Sequence, residues 1–238
     1  MKSNILNIFK KEFDGYFTSP MAYIFLVIFS LVNGYFFSNT FFIFGQSDMR
    51  ALFQIVPLVY LFFIPAITMG IISKEKNIGT MEVMCTLPIK DYELVIGKYL
   101  SILSLLFVGL ILTGVMLLNL IAVGTNIDYG AIFTGYLGLF LAGSVYASMG
   151  IFASSLTDNQ VVGFIIAIFF VLIFFLIDKL LIFMPNAIAG TMQYLSIDYH
   201  LSNISRGVID SRNLIYFFSM IGLFLLLTIE SLSSRKWN

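Results

Sequence analysis

The sequence predicts an all-α, polytopic membrane protein: six transmembrane helices preceded by an N-terminal helix lying in the membrane interface. Three observations predict it. Of 238 residues, 59% are hydrophobic and only 11% charged, with a mean hydropathy of +0.97. A soluble chain of this size cannot build a polar shell from so few charges. The apolar residues also fall into six uncharged runs, 21–44, 51–72, 99–123, 131–156, 161–177 and 214–229. Roughly 20 mainly apolar residues cross the hydrocarbon core as a helix. Finally, the runs are continuous rather than alternating, which fits helices and not the strands of a barrel. No polar block is long enough to fold apart, so residues 1–238 read as a single transmembrane domain.

Ahead of the first run, Ile5, Phe9, Phe13 and Tyr16/Phe17 recur at helical spacing, with Lys2, Lys10 and Lys11 among them. That is the pattern of an amphipathic helix in the membrane interface, ended by Ser19-Pro20; a plain juxtamembrane extension is the simpler reading. Lys10, Lys11, Glu12 and Asp14 interrupt the first twenty residues, so no signal peptide is expected. In the second run, Pro57 and Pro65 should bend the helix or free carbonyls towards a cavity.

Between the second and third runs, Gly79-Thr80 reads as a turn and cap before a short helix over 81–87, closed by Pro88. Met81, Met84, Cys85 and Pro88 share one side of it, with Glu82 and Thr86 elsewhere. Such a helix cannot bury itself alone and must rest on its own bundle or on another protein. Lys98 reads as a snorkelling anchor where the third span enters the lipid.

The fourth run carries Gly135, Gly138, Ala142, Gly143, Ala147, Gly150 and Ser154 at three- and four-residue spacing, so neighbouring backbones can approach closely. Packing within the chain and a dimer seam are both open readings of that row. The fifth run can continue past Asp178 and Lys179 towards Met184, and the last can reach Leu232. Between them, residues 184–213 place Ile188, Met192, Leu195 and Tyr199 at helical spacing, followed by His200, Arg206 and Asp210. One or two short helices at the outer membrane surface are expected there. Asn33, Thr68, Asn119 and Ser144 lie within spans and suit interhelical hydrogen bonds or a substrate lining.

Six crossings put both termini on one side. Assigning that side to the cytoplasm leaves Lys2, Lys10, Lys11, Lys74, Lys76, Lys90, Lys98, Arg235 and Lys236 inside, against Arg50, Lys179, Arg206 and Arg212 outside. That bias obeys the positive-inside rule. Zero net charge gives no reason to expect a nucleic-acid partner, and the single cysteine, Cys85, excludes an intramolecular disulfide and a cysteine-built zinc site. Gly97-Lys98 is not a phosphate loop, because Tyr92 and Tyr99 stand where that motif needs Gly and Ser/Thr. His200 has no second histidine or cysteine near it. No Ser–His or paired-carboxylate set sits at membrane depth. The chain reads as non-enzymatic and without a cofactor. Asp178, Lys179 and Glu230 lie near span ends, which disfavours an ion-coupled carrier.

Four stretches carry a likeness: SKEKNIGTME over 73–82, LPIKDYELVIGK over 87–98, SSLTDNQ over 154–160, and LSIDYH over 195–200 followed by RGVID over 206–210. In this order around six spans, the chain resembles the permease subunits of type-2 ABC exporters. Within them it is most similar to the branch containing the gliding-motility and nitrous-oxide-reductase maturation permeases. Lys74 departs from the arginine that many relatives carry; it keeps the charge and loses the fork geometry.

The resemblance implies a cytoplasmic coupling helix after the second span and an external re-entrant segment before the last. It implies a separate ABC ATPase subunit, a second permease copy or a related permease, the cell (cytoplasmic or inner) membrane, and export. Carried over onto this chain, Glu75, Gly79, Thr80, Glu82, Leu87 and Pro88 are the ATPase-coupling residues. Gly79 and Pro88 would shape turns, Glu75 and Glu82 offer charge to the partner, and Leu87 pack. The plainer reading is that they only fold a loop. A freestanding secondary carrier or channel, and a membrane scaffold anchoring an ATPase complex, are the alternatives at this stage.

Overall fold

The computed structural model describes residues 2–43, 49–81, 89–124, 127–183 and 185–234, and among them regular structure is entirely helical. In chain order the helices are α1 (Lys2–Thr18), α2 (Pro20–Ser38, running into a π-helical turn Asn39–Ile43), α3 (Arg50–Thr68), α4 (Ser73–Ile78) and α5 (Asp91–Val123). They continue as α6 (Tyr129–Ser155), α7 (Gln160–Leu180), the short α8 (Asn186–Gln193) and α9 (Ile197–Ile204), and α10 (Ser211–Ser234). Six helical segments are long and apolar enough to cross a membrane: Pro20–Phe42, Arg50–Ile78, Asp91–Val123, Tyr129–Ser155, Gln160–Leu180 and Ser211–Ser234. They correspond one for one to the six uncharged runs.

Local chemistry sets the ends. Ser19 holds the N-cap position of α2 with its hydroxyl turned back to Tyr16 O at 3.2 Å, and Pro20 takes the first helical position, where a missing N–H costs nothing. Asp128 Oδ1 accepts from Ala131 N at 3.1 Å and Asn159 Oδ1 from Val161 N at 2.9 Å, so the caps of α6 and α7 lie in the short polar links before them.

The small-residue row is spent within the chain. In α6, 83% of the most apolar stretch is buried, against 22–33% in α2, α5, α7 and α10. The glycines explain why: a Cβ on Gly135 would stand 2.1 Å from the Phe53 ring, one on Gly138 2.8 Å from Leu201, and one on Gly150 2.1 Å from Thr68 Oγ1. Helix α6 is therefore the central post, with α3, α5, α7, α9 and α10 against it. Aromatic rings add a second seam between α2 and α3, where Phe29 stacks on Tyr60 at 5.7 Å and Phe25 lies tilted against Phe63 at 5.6 Å.

Three expectations change. The third span begins at Asp91 rather than at 99, because charged residues in its first turns find partners in α1 and α4 instead of water. Polar residues inside spans mostly bond their own helix: Asn33 Nδ2 donates to Phe29 O at 2.7 Å, Thr68 Oγ1 to Ile64 O at 2.9 Å and Ser144 Oγ to Phe140 O at 2.6 Å, while Asn119 is exposed. Helix α1 docks as well as lying amphipathic. Its buried side includes Tyr16, and Phe9, Phe13 and Phe17 form a ring ladder with neighbouring centroids 5.7 and 4.9 Å apart.

Candidate functional site

Helix α3 ends where its own residues stop supporting it. Pro65 supplies no N–H to the preceding turn, and Thr68 Oγ1 folds back onto Ile64 O at 2.9 Å and Pro65 O at 3.2 Å. Residues 69–72 then form a tight turn into α4. A side chain 82 positions away holds it: Ser154 Oγ donates to Met69 O at 2.8 Å and accepts from Ile72 N at 3.1 Å and Ser73 N at 3.0 Å. One hydroxyl thus satisfies three backbone groups of the elbow. Its neighbour Ser155 offers its carbonyl to Lys76 Nζ of α4 and to Ser231 Oγ of α10, the latter at 3.3 Å. Close approach of Gly150 to Thr68, one turn earlier, puts Ser154 within reach. Two of the four singled-out stretches, 73–82 and 154–160, meet here.

A second clamp is ionic. The first turns of α5 are capped by Glu93, whose carboxylate accepts from Lys90 N at 3.1 Å and from Asn4 Nδ2 of α1 at 3.2 Å. Gly97 leaves a notch for Ile8, since a Cβ there would lie 2.8 Å from Ile8 Cγ2. With α1 so held, Lys98 turns inward. Its side chain is 1% exposed, and Nζ lies 2.8 Å from Glu12 Oε1, 2.9 Å from Glu75 Oε1 and 2.9 Å from Ile71 O. All three ammonium donors are used. Lys98 is therefore not a snorkelling anchor: snorkelling needs a head in water, and here two carboxylates and a carbonyl replace the water.

Lys11 stands at the edge, 3.7 Å from Glu75. The other Glu75 oxygen, Oε2, is buried and has no hydrogen-bond partner among the described residues. Tyr16 closes the same corner; burial, aided by the Glu12 charge, pushes its phenol up despite a hydrogen bond with Ser101, so it stays neutral.

The sequence-derived coupling residues divide as follows. Glu75 sits on α4 in the ionic clamp. Gly79 caps α4 in the left-handed region at φ 78°, where a side chain would be strained. Thr80 Oγ1 donates backwards to Glu75 O at 3.2 Å, closing α4 rather than opening the next helix, although Thr80 and Met81 are themselves helical. Glu82, Leu87 and Pro88, with Met84, Cys85 and Thr86 of the expected short helix, lie outside the described residues. Sequence reasoning missed Glu12, Ser154 and the true role of Lys98. The available signals were a lysine two turns inside a helix start and a Ser-Ser pair ending a row of small residues.

The stretch 87–98 thus joins the other two at the α4 end, and the opposite end of the bundle is held by the fourth, residues 195–210. Two short helices, α8 and α9, occupy residues 186–204 as expected, and Ser196 caps α9 by accepting from Tyr199 N at 3.4 Å. Buried His200 has Nδ1 2.7 Å from Asn213 Oδ1 and Nε2 3.0 Å from Tyr194 O, and its ring stacks on Tyr216 at 4.0 Å. The histidine thereby ties α9 to α10. Lys179 Nζ reaches Asp198 Oδ2 at 2.6 Å and ties α7 to α9.

No curated protein matches the chain. The sequence model of the ABC-2 family transporter proteins matches residues 6–233. That match runs from the early turns of α1 to the last turn of α10 and takes in every element described above. The chain belongs to the ABC-2 family of transporter proteins, multi-pass membrane permeases that work with an ABC ATPase subunit.

Proposed function

We propose that this chain, acting as one permease unit over residues 1–238, is the membrane-spanning subunit of an ATP-driven exporter. It resembles the gliding-motility and nitrous-oxide-reductase maturation branch. A separate ATPase supplies the hydrolysis; the permease lines the substrate pathway together with a second copy or a related permease. Both termini and α4 face the cytoplasm of a cell (cytoplasmic or inner) membrane, and α8 and α9 face outward. Residues 73–88 receive the ATPase through Glu75, Gly79, Thr80, Glu82, Leu87 and Pro88.

One observation carries this reading: α4 is not a loose loop. Ser154 joins its start to α6, Ser155 joins it to α10, and Lys98 joins it to α1 and α5. A displacement imposed on the tip by nucleotide-driven closure of the ATPase is passed to four helices at once. Rigid-body tilting between two bundle states follows from such a connection.

The test is to purify the chain with its partner ABC ATPase, sought first among the neighbouring genes, and to compare transport-stimulated ATP hydrolysis in Gly79→Trp and Glu82→Lys. Both variants should assemble with the ATPase and lose most of the stimulation, on the order of tenfold, as expected when a docked contact is broken. Unchanged stimulation in both would exclude coupling through this segment.

A further inference from the structure

At the end of the bundle remote from α4, a cavity of about 480 Å³ opens between the start of α3 and the end of α9. Its floor is apolar, formed by Phe53 and Leu201, both almost fully buried. These two are fixed by the glycines of α6: Gly135 leaves room for the Phe53 ring, and Gly138, close to one turn on, for Leu201. Because the floor is set by close backbone approach, the rim is set too. Arg50 lies one turn before Phe53 on α3, and Arg206 follows the last turn of α9, so two arginines from distant parts of the chain line one cavity beside Gln54. Among the described residues lining it, Asp198 is the one acid, and its carboxylate lies 2.6 Å from Lys179 Nζ. The described lining thus sets two arginines against one carboxylate that is already engaged by Lys179.

From this geometry we infer a binding site for a phosphate-bearing anion. Guanidinium groups present planar forks that match phosphate oxygens two at a time. The volume falls within the range of small-molecule sites, roughly 300–1,000 Å³, and exceeds what a bare phosphate fills. An apolar floor beneath two arginines suits a phosphate joined to an apolar body. Basic pockets between membrane helices take anionic headgroups in the same way. An anionic phospholipid and a soluble phosphate share this chemistry, and the experiment separates them. Nothing in the site depends on the ATPase-coupling reading.

The full chain in mild detergent is titrated with phosphatidylglycerol or phosphatidylcholine, and lipid retention is read by native mass spectrometry. Inorganic phosphate is titrated separately by calorimetry. The unaltered protein should retain phosphatidylglycerol over phosphatidylcholine. Arg50→Gln/Arg206→Gln should lower that retention roughly tenfold or more, the scale of a lost charge-assisted pair, while Arg212→Gln leaves it unchanged. Arg50→Lys/Arg206→Lys keeps the charge without the fork and should fall between. Both arginines are exposed, so the variants should keep the parent's thermal midpoint, which is measured alongside. Binding of inorganic phosphate that is lost in the same Gln variants supports the site and assigns it to a soluble ligand. The inference is overturned if the double Gln variant matches the parent in both arms, or if the parent binds neither phosphatidylglycerol preferentially nor phosphate.

Discussion

Lys98 and Ser154 perform the same task by different chemistry, each tying the elbow after α3 to helices distant in sequence. For Lys98 the ion pairs have replaced solvent, so removing one partner leaves charge stranded in a site that water barely enters. Lys98→Met should destabilise the protein by roughly 3 kcal/mol, seen as a lower thermal midpoint in detergent. Adding Glu75→Gln to that variant should restore part of the loss, because it removes one stranded carboxylate; a strictly additive double variant would contradict the clamp. Ser154→Ala strands the Ile72 and Ser73 amides and should cost about 1–3 kcal/mol, by the same measurement. Neither role could be read from the sequence alone. Both residues stand inside recognisable motifs, but Glu12 lies 86 positions from Lys98, and Ile72 lies 82 from Ser154. Spacing along a chain does not register such separations.

At the scale of elements, α1 and α4 have no core of their own and take their positions from α5 and α6. The notch at Gly97 gives α1 its seat. Gly97→Leu should expel Ile8 and undock α1, which hydrogen exchange would report as faster exchange over residues 2–18 with α6 unaffected. Retained protection of α1 would count against the notch. Gly79→Ala should cost about 1 kcal/mol through its positive φ, with exchange rising at the end of α4.

Element existence was legible in the sequence. Six uncharged runs became six long helices, and the amphipathic stretch before the last became two short ones. The start of α5 was not legible, because charge was taken as the mark of a solvated loop. Glu93 and Lys98 break that rule because partners on α1 and α4 stand in for water. The role of the small-residue row was half legible: glycine spacing announces close packing, but not which helix will arrive.

On the scale of the whole molecule, α5 is the informative ruler. Its 33 residues span about 50 Å, well beyond a hydrocarbon core of about 30 Å, so the helix is long enough to cross the lipid with its charged first turns left outside. The proposed orientation makes a clear prediction in a Cys85→Ser background. Arg212→Cys should react with a membrane-impermeant maleimide on intact cells, and Asn77→Cys only after the cells are opened. The reverse pattern would invert the topology and remove the ATPase from the reach of residues 73–88.

The crowding around α6 bears on where cargo can travel. With glycine backbone pressed against Phe53, Leu201 and Thr68 along its length, the post has no slack to open a channel beside itself. Such packing favours movement of the bundle as a solid body over parting down its middle. In the proposed assembly of two permeases, cargo would accordingly travel along the flanks of the bundle, with the second permease forming the opposite wall.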